Sequence, residues 1–167
     1  MTLVNPSATC AGRQRFEIYT DSAAHCRCQN AKGVSTISIA ENKKILETFY
    51  DAGNRGDMET CFGLIADDVV WTNVGTTKFS GRYEGKQLVM EKLLGPLFGR
   101  LKRGITMNVH RLVAEGDHVV AQSSGTAETL DGRPYNNRYC WIVRVRDGLI
   151  AEVTEYSDTA LISNTFD

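Results

Sequence analysis

Residues 135–158, YNNRYCWIVRVRDGLIAEVTEYSD, hold the reading on which the fold turns. Two runs of β-prone residues flank Asp147-Gly148. A two-residue link of that composition predicts a hairpin, because the turn needs positive φ and few residues besides Gly, Asn and Asp tolerate it. Under a period of two, Leu149, Ala151 and Val153 share one face, and the next residue on that face is Glu155. An acid therefore follows an apolar stripe towards the interior.

Upstream, residues 105–115 and 118–129 are further strand-like runs, separated by Gly116-Asp117 and by Asp131-Gly132-Arg133-Pro134. Short links between successive long strands predict an antiparallel meander. The first half reads as helical. Ser38 and Glu41 have the spacing of a capping box, after which Ile45, Leu46, Phe49 and Tyr50 fall on one side of a helix ending near Gly53. Asn54-Arg55-Gly56 reads as a turn, and Asp57 as the cap of a second helix whose apolar spacing carries it through Ile65 and Ala66. A short strand over 69–74, a Gly-containing link and a third helix over 86–94, disturbed at Gly95-Pro96, complete the order α-α-β-α-β-β-β-β. This predicts an α+β domain over 38–162 in which three helices cover one face of a curved antiparallel sheet and leave a pocket between. Residues 1–37 lack a sustained period and read as a poorly ordered extension, and 163–167 as a C-terminal tail.

Composition narrows the partners. Nineteen Lys+Arg against twenty Asp+Glu give a net charge of -1, which offers no general attraction to nucleic acid or to an acidic membrane surface. No run approaches the roughly 18 apolar residues of a membrane span, and Asn5, Pro6 and Ser7 interrupt any signal-peptide pattern, so a cytoplasmic location is expected. Five cysteines is an odd count, and Cys61 and Cys140 fall inside predicted elements, as free thiols do. Cys10, His25, Cys26 and Cys28 lack a second paired C-x2-C element, so no metal is expected. No phosphate-binding glycine loop, His-Glu-x-x-His or Gly-x-Ser-x-Gly is present, and no cofactor is predicted.

Glu155 is the leading candidate for chemistry, since burial disfavours a charged carboxylate and moves its proton affinity towards neutrality. Asn73 shares a strand face with Trp71, and its amide can orient a carbonyl or a water. Tyr50 offers a hydroxyl from the first helix. Trp71 and Trp141 offer apolar walls with one donor each. Gln122 and Ser124 share a face of the 118–129 strand, and alternation does not say which face looks inward.

FYDAGNRGD, LIADDVVWTNVG, SGRYEGK, VAEGDHVVAQ and VRVRDGLIAEVTEYSD occur in that order, and from about 39 to 162 the chain resembles a SnoaL-like member of the nuclear-transport-factor-2-like, or ketosteroid-isomerase-like, superfamily. The resemblance implies a cone of three helices and a bent sheet, a deep pocket and a homodimer. Ketosteroid isomerases carry a Tyr, an Asp base and a later acid where this chain has Phe49, Asn73 and Trp141. Limonene epoxide hydrolases have Tyr-x-Asn, Arg-x-Asp and a last-strand Asp, against Trp71-x-Asn73, Gln122-x-Ser124 and Glu155 here. SnoaL-type cyclases also place an acid on the last strand. The resemblance thus implies an isomerase, cyclase or hydrolase acting on a small apolar carbonyl or epoxide compound. Glu155 and Asn73 are its catalytic pair, and Phe49, Tyr50, Trp71, Gln122, Ser124 and Trp141 line the substrate. The alternative is a non-catalytic ligand-binding or dimerisation domain.

Overall fold

A computed structural model of the chain describes residues 38–167. It has five α-helical segments and six strands: α1 Ile39–Arg55, α2 Met58–Gly63, β1 Ile65–Asn73, β2 Gly81–Glu84, α3 Lys86–Leu88, a π-helical segment Val89–Leu94, α4 Gly95–Phe98, β3 Thr106–Glu115, β4 His118–Glu128, β5 Pro134–Arg146, β6 Leu149–Ser157 and α5 Thr159–Phe166. The strands form one curved, unclosed sheet in the order β2-β1-β6-β5-β4-β3. From β3 to β6 every neighbour is antiparallel, as the short links require, while β1 lies parallel to β6. None of the described helices is long and apolar enough to cross a membrane.

The expected hairpin is present. Asp147 and Gly148 have φ of 53° and 79°, the paired positive values of the tight turn. The stripe leading to Glu155 is less regular than alternation predicts. Val145 pairs with Ile150 and Arg144 with Glu152, so Ala151 is the extra residue of a β-bulge. Leu149 is consequently only half-buried, whereas Ile150, Ala151, Val153 and Glu155 are buried.

Other boundaries depart from the sequence reading. The capping box at Ser38 and Glu41 forms, but α1 continues through Gly53 to Arg55 and uses Gly56 as its left-handed C-terminal residue. Asp57 caps α2, which stops at Gly63; Ile65 and Ala66 lie in β1, paired beside β6. Their helical spacing is a coincidence that tertiary pairing overrides. β2 occupies part of the segment read as a link. Around Gly95-Pro96 the helix widens instead of breaking: Gly95 N–H reaches back to Met90 O, five residues away, and Pro96 has no N–H to offer. Most of the expected tail is α5, capped by Asp158 and anchored by Ile162, Thr165 and Phe166.

The core fills the space between α1, the 86–98 segment and the inner sheet face, with Leu46, Trp71, Val89, Leu93, Val119, Val143 and Val153 all buried. Two devices hold the open end of this layer. The Asn54 side chain clamps the Met107 backbone, accepting its N–H at 2.7 Å and donating to its carbonyl at 2.8 Å. Gly125 lets Ile105 and Tyr139 close over β4, where a Cβ would lie 2.6 Å and 2.9 Å from their side chains.

Candidate functional site

Between α1, α2, the 86–98 segment and the inner sheet face lies a cavity of about 600 Å³, within the range of small-molecule sites. Sheet register decides what meets at its buried end. Asn73 on β1 is opposite Glu155 on β6, which is opposite Trp141 on β5. One row across three strands therefore places an amide and an indole on either side of the acid. Trp71 lies two residues before Asn73, with its indole N–H donating to Glu155 Oε2 at 3.1 Å.

Glu155 is 9% exposed. Burial pushes its carboxyl up to about 7, and the indoles of Trp71 and Trp141 pull in the opposite direction because a donor favours the charged form. Trp141 lowers it without completing a hydrogen bond, and its Nε1 is a buried donor with no partner among the described residues. Tyr50 OH and Asn73 Oδ1 are unpartnered in the same way. Such atoms are costly in a folded interior and concentrate where something else is to be bound. The Tyr50 phenol is held above its ordinary range by burial and next by the Glu155 carboxylate, with the Ser123 hydroxyl acting against both.

The walls are aromatic. Trp71 and Trp141 meet edge to face at 5.0 Å, and Tyr50 and Phe49 lie 5.4 Å and 6.1 Å from Trp141. Leu93, Leu97, Phe98 and Met107 supply further apolar lining.

Six of the eight expected site residues thus share one cavity: Phe49, Tyr50, Trp71, Asn73, Trp141 and Glu155. Gln122 and Ser124 do not. On β4 the buried positions are Val119, Ala121, Ser123 and Gly125, so Gln122 and Ser124 face the outer side, where Ser124 contacts His110 at 3.0 Å. The equality of apolar character on the two faces of β4 had hidden this. Arg55, Arg103 and Tyr139 also line the cavity. Tyr139 was accessible to alternation, being two residues before Trp141, whereas the arginines come from a helix end and a loop that carry no periodic signal. Cys61 and Cys140 are free, as expected, and the described residues contain no cluster of metal-ligating side chains. The cysteines and histidine considered for zinc lie outside the described residues, as does the expected 1–37 extension.

The profile of the SnoaL-like domain matches residues 46–153, well over half of the chain. The chain belongs to the SnoaL-like domain family. Solved structures agree on the fold. Bal32a, from a soil-derived mobile gene cassette, is 19% identical, with a TM-score of 0.70 over 77% of this chain and 98% of its own. TerC co-crystallised with polyporic acid is 20% identical, with a TM-score of 0.66 over 74% and 96%. An LEH-like epoxide hydrolase of M. tuberculosis is 24% identical, with a TM-score of 0.60 over 73% and 86%. At these identities the likeness establishes the cone of this SnoaL-like protein and nothing about its substrate. No curated protein matches the chain.

Proposed function

We propose that this SnoaL-like protein is an acid–base enzyme whose proton carrier is Glu155, acting on a small, largely apolar carbonyl compound by isomerisation or cyclisation. One observation carries the reading: among the described residues Glu155 is the single carboxylate lining the cavity, and its carboxyl is poised at about 7. A lone carboxyl near neutrality serves as base and then as acid on the same substrate. Oε2 is occupied by Trp71, so Oε1 exchanges the proton. It removes a proton from carbon next to the carbonyl, and the electron pair of the C–H bond moves into an enolate. Glu155, now protonated, returns the proton either to another carbon, giving an isomer, or to the alkoxide formed when the enolate carbon closes on a second carbonyl. The unpartnered Tyr50 hydroxyl and Trp141 N–H are donors for the enolate oxygen, and Asn73 orients the reacting group.

Epoxide hydrolysis, the activity carried by the name of the M. tuberculosis structure, is less well supported, because attack by water and protonation of the ring oxygen engage two groups at once and the described residues give the cavity one acid. The test is turnover of a panel of enones, polyketide-like ketones and epoxides by the unaltered protein and by Glu155→Gln. The variant keeps the shape and an acceptor for Trp71, and is expected to lose about a hundred- to ten-thousandfold in kcat/KM, the range general acid–base catalysis contributes. Turnover retained within a few-fold would rule Glu155 out. Binding without turnover in both proteins would favour the ligand-binding alternative.

A further inference from the structure

We propose that the cavity takes an amphipathic carboxylate, with its apolar body against the aromatic wall and its anionic head held at the open end by Arg55 and Arg103. The inference deepens the acid–base reading by naming the substrate class, and it rests on that reading only for what happens at the buried end.

Arg55 closes the last turn of α1, and Arg103 lies on the loop before β3; both are exposed, and both line the cavity in which Glu155 is buried. Neither forms an ion pair or a side-chain hydrogen bond among the described residues, although their neighbours do. Lys102 is paired with Glu128, leaving Arg103 alone on the same loop. Asp57, the acid beside Arg55, caps α2, its Oδ1 accepting Thr60 N–H at 3.1 Å, and it feels the Arg55 charge without forming an ion pair with it. Among the described residues Glu155 is the one acid that lines the cavity. The side chains lining the cavity that carry charge near neutral pH are therefore, among the described residues, two exposed cations and one buried acid.

That polarity orients a ligand. An anionic head is attracted to the mouth and, once Glu155 ionises, repelled from the base, so the apolar end is the end delivered to Oε1. A guanidinium is also the side chain whose planar fork fits a carboxylate through two parallel N–H groups. A cationic head would meet the reverse arrangement at the entrance. A neutral head would take only the weaker hydrogen bonds of an uncharged acceptor from these arginines and no charge pairing.

The chain carries its own reporter, because it has two tryptophans, Trp71 and Trp141, and both line the cavity. Quenching of their fluorescence is titrated with 5-phenylpentanoate and with 5-phenylpentanamide at about pH 8. The carboxylate is expected to bind about tenfold more tightly, the order set by two partly exposed charge pairs. Raising salt from about 0.05 to 0.5 M should weaken the carboxylate alone, because the contact is screened. In the Arg55→Ala/Arg103→Ala double variant both probes should bind alike, at the affinity of the amide. Equal affinities in the unaltered protein, a preference that survives in the double variant, or saturation by neither probe would each overturn the proposal. The salt titration needs no variant and decides the matter if the double variant does not fold. In Glu155→Gln the carboxylate preference should persist. Loss of the preference with Glu155 still essential for turnover sinks the head-group site alone, and the converse sinks the proton carrier alone.

Discussion

The indole N–H of Trp71 and the carboxylate of Glu155, 84 residues apart in sequence, meet inside the core at 3.1 Å. Burial alone would move the acid well towards its neutral form; this donor draws it back, because a hydrogen bond to the ionised oxygen stabilises that form. The balance between the two sets the proton affinity at which Glu155 works. Trp71→Phe removes the donor while keeping an aromatic wall, so the carboxyl should rise further above about 7. The acid limb of the kcat/KM profile should move to higher pH, and activity at about pH 6 should fall by about threefold or more, each half unit of displacement being worth roughly that factor on the limb. An unmoved limb would mean that Trp71 does not tune the acid.

Glu155 also predicts an unusual slope of stability against pH. Its native carboxyl holds a proton up to about 7, whereas the unfolded chain releases it near the ordinary glutamate value of 4.5. Between these values the native state binds more protons, so stability falls as pH rises through that window, and the loss is complete above about 7. At about 1.4 kcal/mol per unit, the cost of burying the charge is roughly 3 kcal/mol as an upper figure. Glu155→Gln lacks the ionisation. Its melting temperature should match that of the unaltered protein near pH 4.5 and exceed it by several degrees at pH 8. Parallel melting curves across that range would show that the carboxylate is solvated.

The contrast between what alternation revealed and what it missed has a physical source. Glu155, Asn73 and Trp141 were legible because a strand sends every second residue inward, and the Asp147-Gly148 hairpin fixes the parity of β6. The bulge at Ala151 resets that parity, yet it falls on the Leu149 side and leaves Val153 and Glu155 in phase. On β4 the inward set is Val119, Ala121, Ser123 and Gly125, no more apolar at its far end than the outward Val120, Gln122 and Ser124, so nothing in the sequence chose between them. Ile65 and Ala66 show the opposite failure: they continue a helical spacing, and only the pairing of Ile65 with Ile150 reveals a strand. β2 and α5 are short and depend on neighbours in space, β2 on β1 and α5 on Phe79 and Tyr135, which meet Phe166 edge to face. Arg55 and Arg103 belong to no repeating pattern and were visible only once the chain was folded.

The open end of the cavity depends on Asn54, whose amide forms two hydrogen bonds to the backbone of Met107. Asn54→Ala leaves the Met107 N–H and carbonyl to water and releases the end of α1 from β3. At about 0.5–1.5 kcal/mol for each bond, the variant should lose roughly 1–3 kcal/mol, read from urea denaturation. KM should rise more than kcat falls, since Glu155 is held by other elements. A change below about 0.5 kcal/mol would show that the clamp is already solvated in the native state.

The outer face of the sheet carries the last prediction. Val113, Val120 and Ile142 form one row across β3, β4 and β5, with Tyr156 nearby on β6; Val113, Ile142 and Tyr156 are 55%, 37% and 46% exposed. Val113, Val120 and Tyr156 border a shallow depression of about 850 Å³ that Glu155 does not reach. An apolar row on a broad sheet face favours association with another copy, since a two-fold axis places the same row against itself. The protein is therefore expected to be a homodimer at micromolar concentration by light scattering. Ile142→Arg sets two like charges at the centre of that contact and should shift the mass to monomer while leaving the melting profile of the cone largely intact. A monomeric mass for the unaltered chain, or an unshifted dimer in Ile142→Arg, would place the association elsewhere or nowhere.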